Sequence, residues 1–362
     1  MRVKRNESDD LQDQIDKSSY QIGDAPVEFL DSGSIMLNLA GSCRGMNGGW
    51  ARGRVDNIVG DGSSGKTLMA LEVAANSFHN LKKKESKLFG TVENVDITYV
   101  NVEGVMDFPV ASMYGRDFYE SVDWKHFDTV EKTGRHLFSK LQEYQEGTSY
   151  IYIIDSWDAL DSEPEKKAFD ESIDKDKELG GSYDLGKQKY ASKRFFKRIA
   201  GELEGNSKDF TIFIISQTRE KIGVTFGKKK YRGGGNALDF YTHQVCWLYE
   251  VGKLKRTVSG QERVYGINVR AKFERNKTSK PFREADFQIL FDYGIDNVTS
   301  MVNWLYGEKA KQFDYKDSIY KRKDAFVKMI EDSDLEDHFA QLCEKRWIEI
   351  EDKIKPDRKP KF

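Results

Sequence analysis

Short, mostly apolar runs alternate with longer amphipathic stretches through most of this chain. Four of these runs have the length of a strand: VDNIV (55–59), ITYVNV (97–102), YIYII (150–154) and TIFII (211–215). Because such runs can bury both of their faces, they indicate strands of a parallel sheet covered by helices. After the first run, KTLMALEVAANSFHNL has Leu68, Leu71, Ala75 and Phe78 at helical spacing. The pattern therefore predicts an α/β core.

The pattern changes after residue 242. QVCWLYE and VYGINVRAKF flank the turn-rich TVSGQE, which predicts an antiparallel hairpin, and FQILF (287–291) predicts one more strand. The spacing of Phe326, Met329 and Ile330 predicts a small helical C-terminal unit, followed by the basic tail KIKPDRKPKF. We divide the chain into a polar N-terminal arm with a candidate role in oligomerisation (1–28), a core (29–296) and a C-terminal domain (297–362).

Composition adds limits rather than a function. The chain has 58 basic and 60 acidic residues among 362, so only the distribution of charge can indicate a nucleic-acid partner. Its three cysteines are far apart and lack metal-type spacing, which disfavours a disulfide framework or a zinc site. No apolar run approaches the roughly 18 residues needed to span a bilayer, and the start has no apolar signal region. We expect a soluble, cytoplasmic protein.

One motif predicts a phosphate site. GDGSSGKT follows the first apolar run and opens the helical stretch, which is the context of a phosphate-binding loop. Its glycines let backbone N–H groups face the phosphates, and the helix N-terminus adds its dipole. Lys66 would bind the phosphates and the Thr67 hydroxyl would bind Mg²⁺. We therefore predict ATP and Mg²⁺ as cofactors and the loop as the nucleotide site: Gly60, Asp61, Gly62, Ser63, Ser64, Gly65, Lys66 and Thr67.

Three polar residues end other predicted strands of the core. Asp155 follows YIYII and is a candidate for the Mg²⁺ shell. Glu103 follows ITYVNV and is the candidate group that orients or deprotonates the attacking water; the alternative is a surface carboxylate. Gln217 follows TIFII and could report the γ-phosphate to the basic segment that comes next. We predict catalytic roles for Glu103, Lys66 and Gln217.

The order of these segments resembles the RecA family of DNA recombinases. The resemblance rests on GDGSSGKT, VNVEG, IIDSWDAL, ISQTREKIGVTFG, GGGNALDFY and RNKTSKPFREADFQILFDYGID, and it covers roughly residues 29–296. KIGVTFG and GGNAL are its most specific parts. The resemblance implies an α/β fold: a RecA-type phosphate-loop ATPase core with a mostly parallel central sheet, an antiparallel hairpin extension and a small helical C-terminal unit.

The resemblance also implies two DNA-binding segments. The second of them, residues 219–236, combines cations for phosphates, glycines whose N–H groups can reach phosphate oxygens, and an apolar side chain, Ile222, that would insert between bases. Its predicted DNA-binding residues are Arg219, Ile222, Phe226, Lys228, Lys229, Lys230, Arg232, Gly234, Gly235 and Asn236. The first segment follows Asp155 and is acidic before it becomes basic. Its candidates are Lys193, Arg194, Lys197 and Arg198, with a solvated helix face as the alternative.

Two further sites follow from the resemblance. Arg275 and Lys277 in ERNKTSKPF match the cations that the family offers to the ATP of a neighbouring subunit, which implies a helical filament. Asp107 and Phe291 match positions beside the adenine. Three departures stand out: Asp239 replaces a usual lysine, the N-terminal arm does not match, and the C-terminal tail is basic rather than acidic.

The predicted function is ATP-dependent homologous DNA pairing and strand exchange by a filament on single-stranded DNA. Its partners would be single-stranded DNA, homologous duplex DNA and further copies of the chain, with single-strand-binding or mediator proteins as candidates and no membrane. One alternative is a RecA-like filament that binds DNA without exchanging strands, as a mediator or damage sensor. A ring helicase is a second alternative, but it does not account for KIGVTFG.

Overall fold

The structure is a computed structural model that describes residues 27–104, 106, 109–175, 190–220, 230–232 and 235–359. Its strands are β1 (Phe29–Leu30), β2 (Trp50–Ala51), β3 (Val55–Gly60), β4 (Glu85–Ser86), β5 (Gly90–Thr91), β6 (Asn94–Asn101), β7 (Val122–Lys125), β8 (Thr148–Asp155), β9 (Phe210–Glu220), β10 (Lys230–Arg232), β11 (Gln244–Val258), β12 (Gln261–Asn276), β13 (Glu284–Leu290), β14 (Gly294–Asp296), β15 (Phe313–Tyr315) and β16 (Ser318–Tyr320).

Helices cover both faces of this strand framework. They are α1 (Ile35–Ser42), α2 (Lys66–Asn80), α3 (Val110–Tyr114), α4 (Arg116–Ser121), α5 (Val130–Gln142), α6 (Glu163–Lys175), α7 (Phe196–Glu202), α8 (Gly235–Tyr241), α9 (Asn297–Tyr306), α10 (Lys323–Asp332) and α11 (Glu336–Ile354). A π-helical turn, Ala191–Phe195, leads into α7. Within the described ranges, no helix is both long and apolar enough to cross a membrane.

The large sheet has the strand order β14-β13-β12-β11-β3-β9-β8-β6-β7. Strands β11, β3, β9, β8, β6 and β7 run parallel to one another, and β12, β13 and β14 extend the sheet antiparallel. The predicted parallel sheet, hairpin and additional strand are therefore confirmed. The carboxyl ends of β3, β9, β8 and β6 meet at one edge, which is where such sheets bind ligands.

Apolar side chains fill a layer on each face of the sheet. Helix α2 buries one side against it through Leu68, Leu71, Val73 and Ala74. The opposite layer is rich in aromatic residues, and Trp157 contacts both Phe195 and Phe196 there, with ring centroids 5.2 Å apart in each pair. Full burial of each large apolar side chain contributes about 1.5–3 kcal/mol. The two layers hold the strands, and hence their carboxyl ends, in fixed register.

The hairpin is longer than the sequence pattern indicated. Strands β11 and β12 pair from Gln244–Asn276 out to Val258–Gln261, so the turn contains only Ser259 and Gly260. Both turn residues have positive φ, 51° and 77°, which is the conformation of the tight hairpin turns that match strand twist. Since β3 ends opposite Leu248, the outer half of the hairpin extends beyond the phosphate loop.

The C-terminal helices do not form a separate core. Met301 of α9, Ile330 of α10 and Trp347 of α11 belong to the same buried cluster as Ile35 of α1 and the residues of α2. Glu351 of α11 also binds Lys280 at 2.8 Å and Arg283 at 2.5 Å, beside the start of β13. The C-terminal unit is helical, as predicted, apart from the small hairpin of β15 and β16, which the sequence pattern did not indicate.

Candidate nucleotide and DNA site

The phosphate loop connects β3 to α2 at the ligand-binding edge of the sheet. Gly65 has φ 88°, and a side chain at Gly60 would come within 2.3 Å of the Ser64 hydroxyl. Lys66 is buried and its ammonium donates a hydrogen bond to the Asp61 carbonyl at 2.5 Å. Burial lowers the pKa of Lys66, whereas the charges of Asp155 and Asp61 raise it. A buried cation beside free helix N–H groups suits a polyphosphate.

The predicted metal ligands lie together. The Thr67 hydroxyl donates to Asp155 Oδ2 at 2.6 Å, and the Tyr99 hydroxyl donates to the same oxygen at 2.5 Å. Burial raises the pKa of Asp155, and both hydrogen bonds lower it. A half-buried carboxylate and hydroxyl next to a phosphate loop are a donor set that fits Mg²⁺, which favours oxygen ligands. Sequence reasoning missed Tyr99, whose side chain faces this site from inside β6.

Glu103, Gln217 and Ser156 form a second group beside the loop. Glu103 Oε1 accepts hydrogen bonds from Gln217 Nε2 at 2.8 Å and from the Ser156 hydroxyl at 3.2 Å. The Gln217 backbone N–H donates to Asp158 Oδ2 at 2.7 Å. The sequence-based expectation that Gln217 ends its strand was wrong, because β9 continues to Glu220 and pairs with β10. Ser156 and Asp158 were missed, although both lie in IIDSWDAL.

A cavity of about 450 Å³ adjoins the phosphate loop. Loop residues form one side, and the other side includes Val264 and Ile267 of the hairpin, Ile289 of β13 and the half-exposed Phe291, which follows β13. An apolar cavity of that size suits a planar base next to bound phosphates. Phe291, which the sequence predicts beside the adenine, lines this cavity. Asp107, the other residue of that prediction, lies outside the described residues.

The first basic segment is a helix surface over an aromatic layer. Arg194, Lys197 and Arg198 are exposed, whereas Phe195 and Phe196 are buried, so the aromatics between the cations are core residues. The Arg198 guanidinium lies over the Phe138 ring at 4.3 Å. Arg198 and Arg194 line a groove of about 570 Å³ together with Arg135, Phe138, Ser139, Gln142 and Tyr190. The side chain of Lys193 lies outside the described residues. Arg135 was not found from the sequence.

Part of the second basic segment lies outside the residues that the structure describes. Ile222, Phe226, Lys228, Lys229 and Gly234 lie outside the described residues, as do the side chains of Lys230 and Asn236. Gly235 is the first residue of α8, and Arg219 is exposed on β9.

Arg232 requires a correction. We predicted that it binds DNA, but its side chain is only 5% exposed and its guanidinium binds Asn57 Oδ1 and Asp239 Oδ1. A guanidinium enclosed by these two partners does not face a DNA strand. Sequence reasoning failed here because Asn57 is 175 positions away.

The two predicted trans-acting cations lie away from the phosphate loop of their own chain. Arg275 pairs with Val245 across the hairpin, and Val245 pairs with Asn57 of β3. Asn57 is three residues before Gly60, which corresponds to about 10 Å along a strand. Lys277 donates from its ammonium to the Phe240 carbonyl at 3.1 Å. Burial and the neighbouring Arg275 lower the pKa of Lys277.

Comparison with known proteins decides the family. The RecA N-terminal domain family matches residues 13–296 of the chain. The chain belongs to the RecA family. It is similar to the protein RecA of Rippkaea orientalis, with 31% identity over 325 residues that cover 87% of this chain and 82% of that protein. The protein RecA of Nitratiruptor is 30% identical over 86% of the chain and 82% of that protein.

A solved structure gives a weaker likeness. The crystal structure of the RadB recombinase has a TM-score of 0.48 and 16% identity, and the match covers 74% of this chain and 98% of that one. Family membership, with the parallel sheet, confirms the predicted fold, the prediction of a DNA-dependent ATPase and the prediction of a function in DNA recombination. The two alternatives, a filament that does not exchange strands and a ring helicase, are not favoured.

Proposed function

We propose that the chain pairs and exchanges homologous DNA strands as an ATP-bound helical filament on single-stranded DNA, in the cytoplasm. The observation that carries this proposal is the Gln217–Glu103 hydrogen bond of 2.8 Å. It joins the candidate catalytic carboxylate to the strand that leads into the basic segment. A change at the γ-phosphate would thereby reach the DNA-binding residues.

The nucleotide site supplies positioning and charge. Lys66 and the N–H groups at the start of α2 would hold the phosphates, and Thr67 and Asp155 would hold Mg²⁺. A bound Mg²⁺ neutralises charge on the phosphate oxygens. Glu103 would orient or deprotonate the attacking water, since it is exposed at the carboxyl end of β6. Hydrogen bonds from Gln217 and Ser156 hold its Oε1 in place.

The positions of the remaining predicted cations agree with assembly into a helical filament on DNA. Arg275 lies about 10 Å along the strands from the phosphate loop of its own chain. This placement supports a role for Arg275 and Lys277 towards the ATP of a neighbouring subunit, so that hydrolysis depends on assembly. The exposed cations Arg194, Lys197 and Arg198, with Arg219, would bind phosphates of the strand. Single-strand-binding or mediator proteins are candidate partners.

The test is joint-molecule formation between a single strand and a homologous supercoiled duplex, with and without ATP. We expect joints that require ATP and homology, and we expect Lys66→Ala to abolish them through loss of nucleotide binding. Lys82→Ala, which replaces an exposed lysine two residues beyond the end of α2, serves as the matched control. Robust joints with Lys66→Ala would refute the ATP requirement. ATP hydrolysis stimulated by single-stranded DNA without joints would favour a mediator or sensor.

A further inference from the structure

The second basic segment is bounded by two paired strands. Strand β9 runs as far as Glu220, and β10 begins at Lys230 and lies antiparallel to it. Thr218 of β9 is directly opposite Arg232 of β10. These two residues therefore mark the base of the segment between them, one on each side.

On the β9 side, the base is bonded to the phosphate loop itself. Gly60 pairs with Gln217 in the sheet, which places the next residue, Asp61, beside Thr218. The Thr218 hydroxyl donates a hydrogen bond to Asp61 Oδ1. The Asp61 carbonyl accepts from the Lys66 ammonium at 2.5 Å and from the Ser64 hydroxyl at 2.9 Å. Asp61 thus lies between the lysine of the phosphate site and the base of the basic segment.

On the β10 side, the base is bonded to the strand that carries the loop. Arg232 donates to Asn57 of β3 and to Asp239 of α8. Asn57 in turn donates from Nδ2 to the Ile214 carbonyl at 2.7 Å and to the Ser216 hydroxyl at 3.0 Å, both on β9. The buried Arg232 side chain therefore joins β10, β3 and α8, which explains why this cation of the basic segment is turned inward.

We propose that the bonds Thr218–Asp61 and Asn57–Arg232–Asp239 form a clamp that couples nucleotide binding to DNA binding by residues 219–236. The inference rests on the proposed function and deepens it. Bound phosphates would attract the Lys66 ammonium, which donates a hydrogen bond to the Asp61 carbonyl. The Asp61 carboxylate in turn accepts a hydrogen bond from the Thr218 hydroxyl. A shift in the position of Asp61 would thus reach Thr218 on β9 directly. It would reach Arg232 on β10 through the strand pairing of Thr218 with Arg232. Thr218 and Arg232 are positioning residues.

This connection is separate from the one through Gln217. Adjacent residues of a strand point to opposite faces, so Gln217 and Thr218 contact different partners. Gln217 contacts Glu103, the candidate catalytic carboxylate, whereas Thr218 contacts the phosphate loop. Loss of the Thr218 hydroxyl should therefore weaken the coupling of nucleotide and DNA without removing the group that activates water.

The test uses Thr218→Val, which keeps the shape of the side chain and removes its hydroxyl. The affinity for a fluorescent oligo-dT is measured with ADP and with a non-hydrolysable ATP analogue, and the affinity for each nucleotide is measured with and without oligo-dT. The ratio of the two oligo-dT affinities is the coupling factor. Linkage requires oligo-dT to change the relative affinity for the two nucleotides by the same factor. We expect Thr218→Val to reduce this factor about fivefold or more, which lies within the usual range of coupling. Nucleotide affinity without DNA should stay within about twofold of wild type, since the hydroxyl contacts Asp61 rather than the phosphates.

Two more variants complete the test. Arg232→Lys keeps the charge but cannot bind Asn57 and Asp239 with one planar group, so it should reduce the coupling factor as well. Thr257→Val removes an exposed hydroxyl on the outer hairpin and should change neither ratio. Wild-type coupling in either Thr218→Val or Arg232→Lys would overturn the clamp. If the wild type itself shows no coupling, the ATP switch of the proposed function fails instead.

Discussion

A half-buried glutamate on the helix that follows the phosphate loop should make stability depend on pH. Glu72 of α2 accepts a hydrogen bond from the Tyr114 hydroxyl at 2.9 Å. Burial, the largest effect, raises the pKa of Glu72 from 4.5 to about 7; the hydrogen bonds from Tyr114 and the Ile295 backbone lower it, and Asp31 raises it further. The pKa of Glu72 in the folded chain is thus about 2.5 above its ordinary value. This difference corresponds to about 3 kcal/mol by which folding favours the neutral over the charged form.

The direction in which stability changes with pH follows from the pKa values of Glu72 in the unfolded and folded chain. Below about pH 4.5 Glu72 is protonated whether the chain is folded or unfolded, and it imposes no penalty. As the pH rises from 4.5 towards 7, the unfolded chain releases the proton first, so the folded state loses stability; above about pH 7 the loss is complete. Glu72→Gln, which remains neutral, should therefore become more stabilising relative to wild type by about 2–3 kcal/mol between pH 5 and pH 8.

The assay is urea unfolding of wild type and Glu72→Gln at pH 5, 6, 7 and 8. Comparing the two proteins at each pH cancels the titration of all other groups. Glu349→Gln, an exposed glutamate on α11, is the matched control and should change stability by less than about 0.5 kcal/mol at every pH. A difference between wild type and Glu72→Gln that does not vary with pH would refute the reasoning, because a constant effect cannot come from a proton.

Two further predictions concern function. Glu103→Gln should keep nucleotide binding but lower the DNA-stimulated ATPase rate by about 10²–10⁴-fold, the usual contribution of a general base, and a rate within threefold of wild type would assign the base elsewhere. Arg198→Ala should lower the slope of log affinity for single-stranded DNA against log salt by about 0.7, the value for one phosphate contact. Lys82→Ala, whose lysine lies over the Phe78 ring at 5.0 Å in the other layer, is its control and should keep the slope.

The sequence alone determined those parts of the site that depend on neighbours in the chain. GDGSSGKT between an apolar run and a helical pattern located Lys66 and Thr67, because a phosphate loop needs its glycines, lysine and hydroxyl within eight consecutive residues. Apolar runs of strand length likewise identified the parallel sheet. Since parallel strands end at one edge, residues that follow those runs, such as Asp155 and Glu103, were expected near the loop.

Only the tertiary structure decided which polar side chains face the site and which are turned away from it. Arg232 has the sequence context of a DNA-binding cation, yet it binds Asn57, which is 175 positions away. Tyr99 resembles any apolar residue of a buried strand, yet its hydroxyl binds Asp155. The reason is physical: burial of a guanidinium or a phenol requires a partner, and the partner comes from whichever strand the sheet register places alongside. That register is set by the packing of both layers, which no local pattern encodes.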